Sequence, residues 1–222
     1  MSVVIPALDE AARIAATIEH VRSLSPAIDI VVADGGSHDG TAGAARAAGA
    51  RVTAGPQGRG PQMNAGARLA RGTALVFLHA DCRLPQNAPA AIAAVLAGGH
   101  EAGIFSIRYD SRHPMLRLAG ALSRFETRCT SFGEGALFVR RDTFESLGGF
   151  ADWPLFEDVE LMARLRARQP IGRAAGAVVA SARRYERQGV LRQQLRNAAL
   201  FTLYAAGVSP HRLAGSYSPT AR

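Results

Sequence analysis

The sequence contains no lysine, and all 26 of its basic residues are arginine. The abundance of alanine and glycine is consistent with a compositional bias as the reason. With 18 acidic residues, the formal net charge is +8. Each arginine guanidinium is a planar, permanently charged fork that suits phosphate or carboxylate groups. The net positive charge is equally compatible with three kinds of binding partner: nucleotide phosphates, an anionic acceptor or an anionic membrane surface.

Cysteine is scarce, and long apolar runs are missing. Cys82 and Cys129 are too few for a disulfide framework, and no Cys/His cluster has the spacing of a zinc site. No run of about 18 apolar residues occurs, so no transmembrane helix is expected. The N-terminal sequence MSVVIPALDE has neither a basic region nor a cleavage site, so we expect no signal peptide and a cytoplasmic location.

Short apolar runs alternate with helical patterns through the first half of the chain. The β-α-β-α-β-α-β order predicts parallel strands, right-handed crossovers and helices on both faces of a mostly parallel sheet. A length of 222 residues suits a single α/β domain. The predicted strands are SVVIP, IDIVVAD, ARVTAG and TALVFLHAD, and the predicted helices are 10–24, 38–48, one that follows the glycine-rich loop GPQGRG, and 87–97.

The regular alternation of predicted strands and helices ends at about residue 99. Strands are predicted at AGIFSIRY, GEGALFVRR and AAGAVVASA, and helical segments at MLRLAGALSRFETR, DTFESLGGF, EDVELMARLRAR and 189–206. We expect a nucleotide-binding half over 1–98, an acceptor-binding and catalytic half over 99–186, and a helical tail over 187–222.

Polar residues follow three of the predicted parallel strands. They occupy 6–10 after the first strand, 34–36 after the second and 79–81 after the fourth. In an open parallel sheet, ligands bind beyond the carboxyl ends of the strands. Each cluster alone could be a turn or a helix cap. Three clusters on one edge indicate a ligand site.

Asp34 closes an apolar strand and precedes two glycines that allow a ligand to approach the backbone. Its carboxylate could accept hydrogen bonds from ribose hydroxyls or from a base N–H. Glu10 could act similarly, or it could only be a first-turn acid favoured by the helix dipole. Arg59, in a glycine-flanked loop before a helix, could reach a base or a diphosphate.

Asp81 follows the apolar run ALVFL, at the edge where a hard divalent cation could bridge two phosphates. His79 projects to the same side of an extended segment. It could ligate Mn²⁺, hydrogen-bond a phosphate, or be a packed or capping histidine.

Glu157 and Asp158 stand together before the helical pattern VELMARLRAR. Two acids at a helix start could simply be favoured by the helix dipole. Alternatively, one of them could accept the proton of an attacking hydroxyl, and we prefer Asp158 as that general base. Spacing alone does not decide between the two.

These motifs, in this order, resemble family 2 glycosyltransferases of the GT-A fold. The resemblance runs from the first strand to at least Leu161, and short bacterial members often called "transferase 2, rSAM/selenodomain-associated" are the most similar. The segments that carry it are SVVIPALDE, VVADGGSHDGT, GRGPQMNAGA, FLHADCRLP, FGEGALFVRRDTFESLGGF and EDVEL.

The resemblance implies inverting transfer from a nucleotide sugar, typically a UDP-sugar, with Mg²⁺ or Mn²⁺. It places the metal on Asp81, with His79 as a second candidate ligand, and the catalytic pair at Glu157 and Asp158, with Asp158 as the base. It also implies donor-binding and acceptor-binding residues. The donor set is Pro6, Ala7, Leu8, Glu10, Asp34, Gly35, Arg59, Asn64, His79, Ala80 and Asp81, and the acceptor set is Gly133, Glu134 and Gly135.

The sequence departs from the family pattern in three places. His79 stands where the first metal-motif aspartate is usual, so direct coordination depends on Asp81. Asp9 replaces a usual asparagine. In RQQLRNA, Asn197 stands where the Gln-x-x-Arg-Trp motif of processive synthases has tryptophan, so we expect a non-processive enzyme.

Three further hypotheses stay open. A sugar-phosphate nucleotidyltransferase would need an activating lysine, which this chain lacks. A non-catalytic nucleotide-sugar binding protein would explain His79 as a degenerate metal site. The basic amphipathic stretch 189–206 could lie on an anionic membrane, or it could pack on the domain with its arginines in water. We expect no nucleic acid partner; the acceptor, a lipid or a small molecule, and the oligomeric state stay undetermined.

Overall fold

The first half of the chain folds as its alternating patterns predict. A computed structural model describes residues 1–125 and 135–215. Four parallel strands lie in the order β3-β2-β1-β4. Their bounds are β1 Ser2–Ala7, β2 Asp29–Asp34, β3 Arg51–Ala54 and β4 Ala74–Phe77, and the intervening helices are α1 Ala11–Leu24, α2 Thr41–Ala47 and α3 Arg59–Leu69.

The second half adds shorter and more varied elements. Its strands are β5 Cys82–Arg83, β6 Ala102–Tyr109, β7 Phe138–Arg140 and β8 Gly172–Ala180. Its helices are α4 Ala88–Ala97, α5 Pro114–Leu122, α6 Arg141–Ser146, α7 Glu157–Arg168, α8 Arg183–Gln188, α9 Val190–Ala205 and α10 Pro210–Ala214.

Within the described ranges, the eight strands belong to one sheet with the order β3-β2-β1-β4-β7-β6-β8-β5. Strand β7 is antiparallel to both β4 and β6, and therefore joins the two halves of the chain. Strand β8 is parallel to β6, and the edge strand β5 is antiparallel to β8. The expected single α/β domain with a mostly parallel sheet is confirmed.

Helices cover both faces of the sheet, because side chains of a strand alternate between its faces. Val3 and Ile5 of β1 belong to a core cluster that includes Ile14 of α1. Val4, between them, belongs to a second cluster with Met63 of α3 and Leu161 of α7.

Several predicted boundaries are wrong. The strand predicted for GEGALFVRR covers only Phe138–Arg140 among the described residues, because Arg141 already begins α6 and donates to the carbonyl oxygens of Gly72 and Ala67. The predicted helix over 115–128 ends at Leu122, and residues 126–128 lie outside the described ranges. None of the described helices has the length and apolarity needed to cross a membrane.

Candidate active site

The carboxyl ends of β2, β1 and β4 lie side by side and carry the predicted polar clusters. Asp34 pairs with Ala7 across β2 and β1, and Phe77 of β4 pairs with Val4. Neighbouring strands are roughly 5 Å apart. Asp34 and the segment 79–81 therefore flank the end of β1, where the half-buried Pro6 and Leu8 lie.

The carboxylate of Asp34 is buried, and only half of its hydrogen-bonding capacity is used. Its Oδ2 accepts the backbone N–H groups of Gly36 and Ser37, at 3.2 and 3.1 Å. Among the described residues, its buried Oδ1 has no hydrogen-bond partner. A buried polar atom without a partner is costly, so this oxygen is suited to accept a hydrogen bond from a ligand.

Gln62, which the sequence analysis missed, holds the ends of β1 and β2 together. Its buried side-chain amide donates to the backbone carbonyls of Ala7 and Ala33, at 2.8 and 3.1 Å. A Cβ on Gly35 would lie 2.5 Å from Gln62 Nε2, so the glycine is needed for this close approach. Gln62 lies among the other polar residues of α3, such as Asn64 and Arg68, so the sequence did not single it out.

The first loop is held by backbone and charge contacts. Asp9 has a positive φ of 53°, and its Oδ1 accepts the N–H of His38. The N–H of Glu10 donates to Thr41 Oγ1. The Glu10 carboxylate lies 3.1 Å from Arg13 and 3.7 Å from Arg183 of α8, so Glu10 connects the loop to the second half of the chain.

The segment 79–81 leaves β4 and is fastened by α1. Thr17 Oγ1 donates to the carbonyl of the buried Ala80 at 2.6 Å. Burial, followed by the positive charge of Arg59, lowers the pKa of the His79 imidazole to about 4, against the opposing effect of Asp81 and Asp158. His79 is therefore neutral at physiological pH, with two carboxylates and an arginine close by.

Two arginines bring positive charge to this cluster. The positive charge of Arg59, at the start of α3, contributes to the lowered pKa of His79. It also partly offsets the effects that raise the pKa of Glu157. Arg184 of α8 also lowers the pKa of His79, and it is a residue that the sequence analysis missed. Its signal was weak, because an arginine pair after the last strand gives no indication of which part of the fold it meets.

The acid pair begins α7 and shares a cleft with His79. Glu157 is buried, and Asp158 is half-buried. The cleft has an apolar wall that includes Met63 and Phe150. Burial, and then the neighbouring Asp158 carboxylate, raise the pKa of Glu157 to about 7. The two acids therefore differ in their surroundings. The sequence alone did not indicate this difference.

The loop before the acid pair is clamped from two helices. Asn64 of α3 donates to the Phe150 carbonyl at 2.8 Å and accepts the Phe150 N–H at 2.9 Å. Arg164 of α7 donates to the carbonyls of Leu147 and Gly149 and pairs with Glu160. The structure thus shows Asn64 holding this loop, while its predicted contact with a donor stays a prediction.

Aromatic side chains of α9 cover the residue that precedes the acid pair. Phe156 has a positive φ of 63° and is the N-cap residue immediately before α7. Its ring stacks on that of Tyr204 with 4.7 Å between centroids, and Phe201 packs nearby. Burial, followed by the charges of Glu160 and Asp158, raises the pKa of the Tyr204 hydroxyl.

The predicted residues thus form two groups on one edge of the sheet. Asp34 and Gly35 lie beside Ala7. The charged cluster lies on the other side of β1 and consists of Arg59, His79, Asp81, Glu157, Asp158 and Arg184. A model of the family described as glycosyl transferase family 2 matches residues 2–135, more than half of the chain. The chain belongs to glycosyl transferase family 2. No curated protein matches its sequence significantly.

Solved structures share the GT-A fold of this family 2 glycosyltransferase. Staphylococcus aureus TarS 1–349 is 16% identical, with a TM-score of 0.66 over 82% of this chain and 60% of TarS. The mannosyltransferase PcManGT from Pyrobaculum calidifontis is 22% identical, with a TM-score of 0.63 over 81% of this chain and 55% of that chain. Glucosyl-3-phosphoglycerate synthase from Mycobacterium tuberculosis is also 22% identical, with a TM-score of 0.60 over 81% of this chain and 69% of the synthase.

The glycosyltransferase offers few protein ligands for a metal ion. Within the described residues, no group of three or more His, Cys, Asp or Glu side chains is arranged to hold one. Mg²⁺ in nucleotide enzymes commonly takes one or two carboxylates and completes its shell with water and substrate phosphates. The Asp81 carboxylate beside the neutral His79 imidazole fits such an incomplete protein site.

Of the three residues predicted to bind the acceptor, Gly133 and Glu134 lie outside the described residues. Gly135 is buried, and a Cβ there would lie 2.7 Å from the Phe105 carbonyl oxygen of β6. The structure therefore gives Gly135 a packing role in the glycosyltransferase, and its contact with an acceptor stays a prediction.

Proposed function

We propose that this enzyme transfers a sugar, with inversion and without processivity, from a UDP-sugar to an acceptor hydroxyl, with Asp158 as general base and a divalent metal ion as cofactor. The observation that carries the proposal is the buried, unpartnered Asp34 Oδ1 on the same sheet edge as the charged cluster. That edge offers an acceptor for a nucleoside on one side and arginines for phosphates on the other.

The choice of donor is supported by the similar structures. TarS was solved with UDP-GlcNAc, PcManGT with GDP-Man and Mn²⁺, and glucosyl-3-phosphoglycerate synthase with Mn²⁺, UDP and phosphoglyceric acid. Here, Asp34 Oδ1 would accept from the nucleoside, and Arg59 and Arg184 would face the diphosphate charge. Two of these three complexes contain uridine nucleotides, which favours a UDP-sugar.

The reaction breaks the bond between the anomeric carbon and the diphosphate oxygen. The acceptor hydroxyl attacks that carbon from the opposite face, its proton passes to the Asp158 carboxylate, and the nucleoside diphosphate leaves with the bonding electrons. Asp158 is preferred to Glu157 because its carboxylate is half-buried and can be reached by an acceptor hydroxyl, whereas Glu157 is buried. When bound by Asp81 and His79, Mg²⁺ or Mn²⁺ would supply positive charge for the departing diphosphate.

The base is tested by Asp158→Asn. The purified variant and the wild-type enzyme would be given a panel of nucleotide sugars, acceptors and Mn²⁺, and nucleoside diphosphate release would be measured. We expect kcat to fall about 10²- to 10⁴-fold, as for loss of a general base, while calorimetry shows unchanged donor binding. Asp152→Asn, an exposed acid six residues away, is the matched control. A fully active Asp158→Asn enzyme would show that the base is misassigned.

The donor site is tested by Asp34→Asn. In contrast to Asp158→Asn, this variant should lose donor affinity and keep its kcat. A hydrogen bond to a charged group contributes about 1.5–3 kcal/mol, so the Kd for UDP should rise roughly 10- to 100-fold. Turnover at saturating donor should change much less. Unchanged UDP affinity would exclude Asp34 from the nucleoside site.

A further inference from the structure

In the part of the chain that the structure describes, the strongly exposed large apolar side chains lie on only two segments. One segment is α5 with the turn after it, and the other is α9. The six side chains are 46–65% exposed, and they are Leu118, Leu122, Phe125, Leu191, Leu195 and Leu203.

The spacing of these residues places them on continuous helical faces. Leu118, Leu122 and Phe125 follow an i, i+4, i+7 pattern, and Leu191 and Leu195 are four residues apart. The opposite face of α9 is already packed on the domain through Val190 and Leu200. The packing of α9 on the domain therefore does not explain its exposed leucines.

Helices α5 and α9 are neighbours. They contact each other directly, and Leu116 of α5 shares a small buried cluster with Val190 of α9. Exposed apolar side chains on two adjoining helices are typical of an interaction surface rather than of scattered surface residues.

Along the sequence, the two segments that carry these side chains have charge of one sign. Residues 111–125 contain three arginines and no acidic residue, and residues 187–222 contain five arginines and no acidic residue. On α9, Arg192 and Arg196 border the exposed leucines. A surface with apolar side chains flanked by arginines matches the boundary between acyl chains and anionic headgroups.

We infer that α5 and α9 form a docking surface for an anionic lipid membrane. The leucines and Phe125 enter the headgroup boundary, and the arginines contact lipid phosphates. A second copy of the chain is a poorer occupant, because a two-fold contact would set the arginines of α5 and α9 against the same arginines of the other copy. The inference is independent of the proposed sugar transfer.

Helix α9, which carries part of this surface, also contacts the active site. Phe201 and Tyr204 of α9 pack on Phe156, the residue before the acid pair. Docking of α9 on a membrane would therefore hold Glu157 and Asp158 close to the lipid surface.

Vesicle flotation of the full chain tests the inference. We expect binding to vesicles that contain phosphatidylglycerol, little binding to pure phosphatidylcholine, and release at high salt. Each arginine near an anionic surface is worth about a factor of five in affinity, so Arg117→Gln/Arg192→Gln should weaken binding roughly 30-fold. The matched control, Arg46→Gln/Arg68→Gln, removes two exposed arginines from α2 and α3 and should bind as the wild type does.

The apolar part is tested by Leu191→Ser/Leu195→Ser, which should also lower vesicle binding while circular dichroism shows an intact fold. Equal losses in the α2/α3 control and the α5/α9 variant would overturn the inference. So would a dimer in sedimentation that the leucine variant dissociates, without binding of the wild type to vesicles. UDP affinity, measured in parallel, reports on the donor site separately.

Discussion

The surroundings of Glu157 disfavour the charged form of its carboxyl group. Its side chain is buried, and its pKa of about 7 lies above the ordinary value of 4.5. Between these two pH values the folded chain keeps a proton that the unfolded chain has lost. Stability from this residue is therefore greatest below about pH 4.5 and falls as the pH rises towards 7.

Glu157→Gln should remove this pH dependence. Since one pKa unit corresponds to 1.36 kcal/mol, the variant should gain about 3 kcal/mol relative to the wild type between pH 4.5 and pH 7.5. Urea denaturation at a series of pH values measures the difference. Parallel stability curves for the two proteins would contradict the assignment.

The position of a single residue in the fold could be predicted where a strand pattern located it. Asp34, His79 and Asp81 follow recognisable strands, so their common edge could be predicted from sequence. Gln62 and Arg184 could not, because their contacts depend on which helix packs against which strand end. For Glu157 and Asp158, the sequence predicted the position at a helix start. It did not predict which of the two is buried, because burial depends on how α7 packs.

Among the helices, α3 approaches the loop before the acid pair so closely that no side chain fits at Gly60. A Cβ there would lie 2.5 Å from the Ala151 carbonyl oxygen and 3.5 Å from Glu157 Cβ. Gly60→Ala should therefore displace the loop, reduce kcat and destabilise the fold by about 1–3 kcal/mol. Thermal or urea unfolding with activity assays checks both effects.

Gly43 of α2 provides the matched comparison, since nothing lies within 4 Å of a Cβ at that position. Gly43→Ala should be neutral or stabilising by up to about 1 kcal/mol. If the two alanine variants behaved alike, close packing at Gly60 would not be the cause.

Helix α9 contributes to the site through Tyr204. Tyr204→Ala removes the ring stacked on Phe156 and contacts with Trp153 and Phe201. Because aromatic pairs contribute about 0.5–1.5 kcal/mol each, we expect a loss of roughly 2 kcal/mol in stability together with a lower kcat. Tyr204→Phe should retain most of both, and the exposed Thr202→Ala should match the wild type. An unaffected kcat in Tyr204→Ala would separate α9 from catalysis.

Regular elements were predictable, and short ones were not. Strands β1, β2 and β4 are short apolar runs and α1 carries its apolar side chains on one face, so the order of these elements followed from sequence. The two-residue β5 and the short helices α8 and α10 carry too few residues for a pattern. Strand β4 was predicted to continue through Asp81, but it ends at Phe77, where the chain turns towards α1.

At the scale of the whole molecule, charge is distributed unevenly along the chain. The last acidic residue is Glu186, and the remaining 36 residues contain five arginines. The acids of the site come from the preceding segments, while the C-terminal helices supply only positive charge. This separation favours attraction of anionic substrates and surfaces to one region of the molecule.

Strand β7 has a consequence for the first half of the chain. Because β7 lies between β4 and β6, removing the second half would expose the edge of β4, whose four residues are all buried. An unpaired apolar edge promotes aggregation. The first half therefore depends on β7 to cover this edge, and we expect a fragment that ends before β7 to aggregate.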